Sequence, residues 1–156
     1  IYLSTIKGGV YKFAPDGQMK WKHKEMAEIP EVPSIMKGML FATNARGEVF
    51  ALNMSTGDLL WRKKHAPAAA GDTWSMTAYD DSSDKLVGHD VVVAALSTNG
   101  GSFNDYIVGM KAQSGEEIWR FKPKFPVYNS IQSTVQGCLV FADAMGRLYR
   151  IKLKDG

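Results

Sequence analysis

Short apolar runs rich in β-branched and aromatic residues alternate along the chain with polar, glycine-bearing breaks. The runs IYLST (1–5), MLFAT (39–43), VVVAALS (91–97) and CLVFAD (138–143) each precede a second run. Those second runs are VYKF (10–13), VFAL (49–52), IVGM (107–110) and LYRI (148–151). Glycine turns join most of the pairs, as KGG, ARG and AMG, while the third pair has the longer STNGGSFND. No stretch keeps a sustained helical period. Short runs of this composition, paired across a glycine turn, predict β-hairpins. A further strand fits in front of each complete unit: VPSI near 32–35, WSMTAY near 74–79 and NSIQST near 129–134.

After the second run comes a glycine followed, four residues later, by tryptophan. The stretches are DGQMKW (Asp16 to Trp21), TGDLLW (Thr56 to Trp61) and SGEEIW (Ser114 to Trp119), and a fourth copy opens at Asp155-Gly156. A unit of about 40 residues with strand, turn, strand, turn and a last strand ending in Trp, preceded by one more strand, is a propeller blade. The predicted fold is all-β: a β-propeller of four-stranded antiparallel blades, with this chain covering about four of them in one partial domain. The blades fall at approximately 1–25, 28–65, 72–124 and 127–156. The first lacks its innermost strand, and the last lacks its outermost strand and Trp. The chain is therefore expected to be an arc of a larger ring, the missing strands coming from the rest of its own chain or from a partner.

At each joint the glycine is expected to supply positive φ in a turn. Thr56 and Ser114 are expected to bond the local backbone. The tryptophan then wedges its flat ring, with one N–H donor, against the neighbouring blade. A phosphate cradle would need several glycines leading into a helix, and neither is present.

These joints resemble the pyrroloquinoline-quinone-type propeller repeat, whose motif reads approximately A-x-D-x-x-T-G-x-x-x-W. Ala51, Thr56, Gly57 and Trp61 match it, with Asn53 where Asp is usual. Gly109, Ser114, Gly115 and Trp119 match in kind, with Lys111 at the Asp position; the first copy is one residue short and keeps Gly17 and Trp21. The same repeat occurs in quinoprotein dehydrogenases and in an outer-membrane assembly scaffold. The resemblance implies one of two functions. One is a non-catalytic scaffold for protein–protein interaction, a peripheral subunit of a larger assembly. The alternative is a fragment of a quinoprotein dehydrogenase, which would use pyrroloquinoline quinone with calcium. Such enzymes carry calcium ligands and often adjacent cysteines. Cys138 is the single cysteine here and no ligand trio can be placed by motif. The expectation is a scaffold with protein partners, without catalytic residues, metal or cofactor.

Composition changes little. Over 156 residues, 45% are hydrophobic and the net charge is +3. That excess is too small and too dispersed for a nucleic-acid surface. No apolar run approaches the roughly 18 residues of a membrane-spanning helix, and no signal-like segment opens the sequence. Both ends are expected to be cuts, since the chain begins without Met and stops inside a joint. Cys138 is expected to be a buried strand residue.

Basic residues follow each Trp: Lys22, His23 and Lys24; Arg62, Lys63, Lys64 and His65; Arg120, Lys122 and Lys124. On an outermost strand they are expected to block edge-to-edge pairing. In the third unit, Asp80, Asp81 and Asp84 do not have EF-hand spacing, and the stretch is expected to be a solvated loop. His89 beside Asp90 lacks a third partner and is expected to be a loop or strand-start residue. HAPAAAGDTW is expected to link two blades, Pro67 keeping it extended. Trp74 has no glycine at the joint offset and is not expected to share the place of the other three.

Overall fold

The computed structural model describes residues 1–29, 31–65, 75–83, 85–97, 104–127, 131–134 and 136–156. These residues form four antiparallel sheets of three, four, four and three strands. The first holds β1 (Tyr2–Thr5), β2 (Gly9–Phe13) and β3 (Met19–Lys24). The second runs β4 (Ser34–Met36), β5 (Met39–Thr43), β6 (Glu48–Asn53) and β7 (Leu59–Lys64). The third runs β8 (Met76–Tyr79), β9 (Val91–Leu96), β10 (Tyr106–Lys111) and β11 (Glu117–Phe121). The last holds β12 (Gln132–Thr134), β13 (Cys138–Ala142) and β14 (Leu148–Lys152). Each strand pairs with its neighbour in sequence, so every sheet is an up-and-down meander.

The sheets stack face to face, and each gap is filled by one apolar core. Leu40, Ala42, Phe50 and Leu52 meet Val10 of the first sheet. Their alternate neighbours Met39, Phe41, Val49 and Ala51 meet Val92, Ala94, Val108 and Met110 of the third. Val91, Val93, Ala95 and Ile107 turn the other way, onto Leu139 and Phe141 of the last. A strand between two cores has no solvent face. That is why VVVAAL is an unbroken apolar run, with all six residues buried. On the two end sheets the alternation returns, leaving Leu3 and Leu148 51% and 82% exposed on the faces turned away from the stack. Cys138 is buried on β13.

Hydroxyls tie the inner strands together. Ser34 Oγ donates to Met76 O at 3.1 Å, linking β4 to β8. Thr77 and Ser133 share a hydrogen bond of 3.2 Å between β8 and β12. The hairpin turns at Asn44 and Asp143 are alike: each side-chain Oδ1 accepts two backbone N–H groups of its own turn. Behind each, an alanine N–H donates to the incoming connection, Ala45 to Glu28 O and Ala144 to Pro126 O, both at 2.8 Å.

One feature differs from the sequence reading and a second adds to it. The outer strands run on past the tryptophan, so Trp21, Trp61 and Trp119 sit within β3, β7 and β11 rather than at their ends. The acidic stretch after β8 is an exposed loop at Asp80, Ser82, Ser83 and Lys85, as expected, but it is anchored by buried residues. Asp81 accepts backbone N–H bonds from Val87 and Gly88 and is buried. Lys37 of the second sheet reaches both oxygens of Asp90 at 2.7 Å and Asp80 at 2.9 Å. Leu86 and Val87 pack over Gly137 of the last sheet. The stretch straps three sheets: its carboxylates hold Lys37 of the second and its apolar residues cover Gly137 of the last. Asp84, the 66–74 linker with Pro67, and Trp74 lie outside the described residues.

The open faces carry a consequence for the isolated 156-residue chain. It is expected to self-associate, because β14 has a free edge and the end sheets expose apolar side chains. Light scattering checks this; a monomer with one sharp cooperative melt is the opposing result.

Candidate functional site

The residues singled out by the repeat converge on three inter-sheet joints. Trp21, Trp61 and Trp119 stand opposite Lys12, Ala51 and Gly109 in the adjacent strand, and a bulge follows each pair directly. The extra residue, Lys20, Leu60 or Ile118, re-aims the strand so that the indole lies across the sheet. At Gly109 the contact is so close that a Cβ would fall 2.2 Å from the Trp119 ring.

Each indole N–H then crosses to the next sheet. Trp21 Nε1 donates to Met54 O at 3.1 Å, Trp61 Nε1 to Ala112 O at 2.9 Å and Trp119 Nε1 to Leu153 O at 2.7 Å. Each acceptor lies three residues before a joint glycine, and the ring covers that glycine. A Cβ on Gly57 would sit 2.7 Å from the Trp21 ring, and on Gly115 2.5 Å from the Trp61 ring. Gly156 takes Trp119 in the same way, at 3.2 Å. The glycines have φ of +81°, +70° and +82°. Each therefore serves twice, as a left-handed turn residue and as the floor under the preceding tryptophan. Gly17, at φ +86°, has no atom within 4 Å of its Cβ position, so its floor is uncovered.

The polar joint residues shape the turn. Asn53 Oδ1 accepts the N–H groups of Ser55 and Thr56 at 2.8 and 3.2 Å. That is an acceptor's task, which explains how Asn stands in for Asp. Lys111 cannot perform it and bonds Glu116 instead, at 2.7 Å. Asp16, Thr56 and Ser114 each accept the N–H two residues on. The one-residue deletion in the first copy shows as a tighter turn: Gly17 N–H donates to Ala14 O, three residues back. Gly57 and Gly115 reach four back, to Asn53 and Lys111.

A second contact parallels the indole bond. Arg62 and Arg120 each follow their tryptophan directly. Arg62 donates to Glu25 at 2.5 Å, and Arg120 to His65 O at 2.9 Å. Glu25 and His65 both lie four residues after the preceding Trp. These two arginines thus bind across sheets rather than guard an edge. Glu25 is buried and also meets His23 at 2.6 Å. Burial pushes the His65 imidazole below its usual range, against the pull of Glu117. Arg120 chiefly holds Glu117 low. In the strap, the Ser82 hydroxyl and then Lys37 hold Asp80 down to about 2.

Sequence reasoning missed the partners of these joints. The carbonyls of Met54, Ala112 and Leu153 carry no side-chain signal. The Asn44-Ala45-Arg46-Gly47 and Asp143-Ala144-Met145-Gly146 turns were a recurrence available to find. Among the described residues no three His, Cys, Asp or Glu side chains gather to hold a metal.

A stack of antiparallel meanders of three, four, four and three strands, joined Trp to Gly in one direction, is the propeller architecture. A family model described as outer membrane protein assembly factor BamB matches residues 1–156. The chain belongs to that family. It is similar to the outer membrane protein assembly factor BamB of Burkholderia pseudomallei (strain K96243), at 28% identity over 126 residues, 80% of this chain and 29% of that protein. The chain thus spans under a third of that relative's length. Its fold is similar to the crystal structure of BamB from Moraxella catarrhalis, with a TM-score of 0.78 and 16% identity over 99% of this chain and 43% of that one. It is also similar to a quinohemoprotein alcohol dehydrogenase from Comamonas testosteroni, with a TM-score of 0.71 and 16% identity, covering 99% of this chain and 32% of that one. At such identities these two likenesses show the fold alone. The repeat resemblance and the family agree: the chain is a β-propeller of the pyrroloquinoline-quinone-type repeat.

Proposed function

We propose that this chain is part of a non-catalytic propeller scaffold that binds protein partners as a peripheral subunit of a larger assembly. The observation that carries this reading is the match to the assembly-factor family along all 156 residues. The joint supports it. Gly17, Trp21, Ala51, Thr56, Gly57, Trp61, Ser114, Gly115 and Trp119 are assigned to docking blade on blade. The strand beside β14 and the ring over Gly17 are assigned to the rest of the polypeptide or to a partner.

We infer that the residues of this chain do not hold pyrroloquinoline quinone with calcium. Among the described residues no three His, Cys, Asp or Glu side chains gather, and Cys138 is the single cysteine of the sequence. We expect that quinone added with calcium leaves the melting temperature of the full-length protein unchanged. A ligand of the folded state would raise it, so a shift seen with both additives and not with calcium alone would restore the dehydrogenase reading.

The scaffold reading is tested by native mass spectrometry of the tagged full-length protein from its own cells. Stoichiometric co-purifying proteins are the expected result. A lone protein with alcohol-oxidising activity is the opposing one.

A further inference from the structure

One buried acid belongs to none of the joints. Glu31 lies in the connection between β3 and β4 and is 6% exposed. Its backbone carbonyl accepts the Ser4 hydroxyl of β1. Its Oε1 accepts the Thr43 hydroxyl of β5, and the Thr43 backbone N–H also bonds the carboxylate. Oε2 is buried and has no hydrogen-bond partner among the described residues. Glu31 is thus the residue at which the first sheet, the connection and the second sheet meet. Next to it the chain turns outward at once, with Val32 82% exposed.

A carboxylate in this place would be a buried charge with no counterion, which is costly. From β1 the facing group is Ser4 and from β5 it is Thr43; neither carries charge. Along its own connection the ionisable neighbours are Glu25, engaged by His23 and Arg62, and Glu28, which is exposed. No charged side chain contributes to the state of Glu31.

We propose that Glu31 is a proton-controlled latch between the first two sheets: protonated, it seats the connection against β1 and β5, and on losing its proton it leaves that seat. Desolvation by burial raises its carboxyl from 4.5 to about 8. The seated state therefore holds the proton more tightly than the released one. Seating is strongest below the released value and weakens as pH rises toward the seated one. Above about 8 both states are ionised and the dependence ends.

Hydrogen exchange of the full-length protein, corrected for intrinsic rates, tests this in peptides covering 2–5 and 31–36. Opening grows up to about tenfold per pH unit in that window. Protection should fall by roughly a hundredfold between pH 5.5 and 7.5 and level off above about 8. Glu31→Gln, neutral at every pH, should abolish the fall. Thr43→Val, which removes a bond favouring the carboxylate, should move the levelling-off to higher pH. A flat wild-type profile, a fall that persists in Glu31→Gln, or an unmoved profile in Thr43→Val would overturn the latch. If Glu31→Gln does not fold, the wild-type and Thr43→Val profiles decide alone.

Discussion

Trp119→Ala is expected to cost about 4–5 kcal/mol of stability, at the top of the range for buried aromatic truncations. The ring is 7% exposed and belongs to the core between the last two sheets. Its loss empties a large volume between rigid sheets that cannot collapse into it. It also strips the Leu153 carbonyl of its indole donor. Trp61→Ala and Trp21→Ala should act alike but cost less, about 3 kcal/mol, because those rings are only partly buried. Trp119→Phe keeps most of the apolar area and loses the N–H, so it should cost only about 1–2 kcal/mol. Denaturant unfolding of the full-length variants measures all four. The rival picture has a tryptophan serving as an exposed recognition residue. A wild-type melt for Trp61→Ala with partner binding lost would establish that picture and refute the joint.

Gly57→Ala should be nearly as damaging although it adds one carbon. The left-handed backbone alone costs an L-residue roughly 1–2 kcal/mol. The new Cβ would stand 2.7 Å from the Trp21 ring, which its bond to Met54 O pins in place. Overlap of this kind adds about 1–3 kcal/mol, giving a total of roughly 2–5 kcal/mol. Gly146→Ala separates the parts, since Gly146 has φ +78° and nothing within 4 Å of its Cβ position. It should show the backbone cost and no more. The double variant Gly57→Ala/Trp21→Ala should be less destabilised than the sum of its parts, because the overlap disappears with the ring. Strict additivity would mean that ring and glycine do not touch in solution.

The fold was legible because sequence period and blade period coincide. Gly57 and Trp61 lie within one turn and one strand, so local chemistry imposes their spacing. The apolar runs of β5 and β9 announce burial on both faces, as a stack of sheets requires. What escaped is the partner of each tryptophan. The acceptor for Trp61 lies 51 residues away, whereas those for Trp21 and Trp119 lie 33 and 34 away. The longer third unit breaks the interval that would have linked them. The anchoring of the strap escaped for a similar reason. Asp80 and Asp81 look solvated by composition; Asp80 is exposed, yet it pairs with Lys37, and Asp81 is buried on local backbone groups that only the fold brings near. Glu31 gave no sign at all, since nothing in a connecting segment marks one glutamate as buried.

The indole bonds of Trp21, Trp61 and Trp119 all point the same way along the chain, from one sheet to the sheet made after it. On the ribosome, Trp21 has no acceptor until Met54 has been added, 33 residues later. At synthesis rates of about 5–20 residues per second that is a wait of roughly 2–7 s, and the 51 residues separating Trp61 from Ala112 extend it to roughly 3–10 s. A hairpin forms in microseconds. Each sheet can therefore be complete while its tryptophan is still unseated, exposed to water and to any chaperone that recognises aromatic surface. The polypeptide grows with one unclosed joint at its leading end, which each new sheet closes as it opens the next.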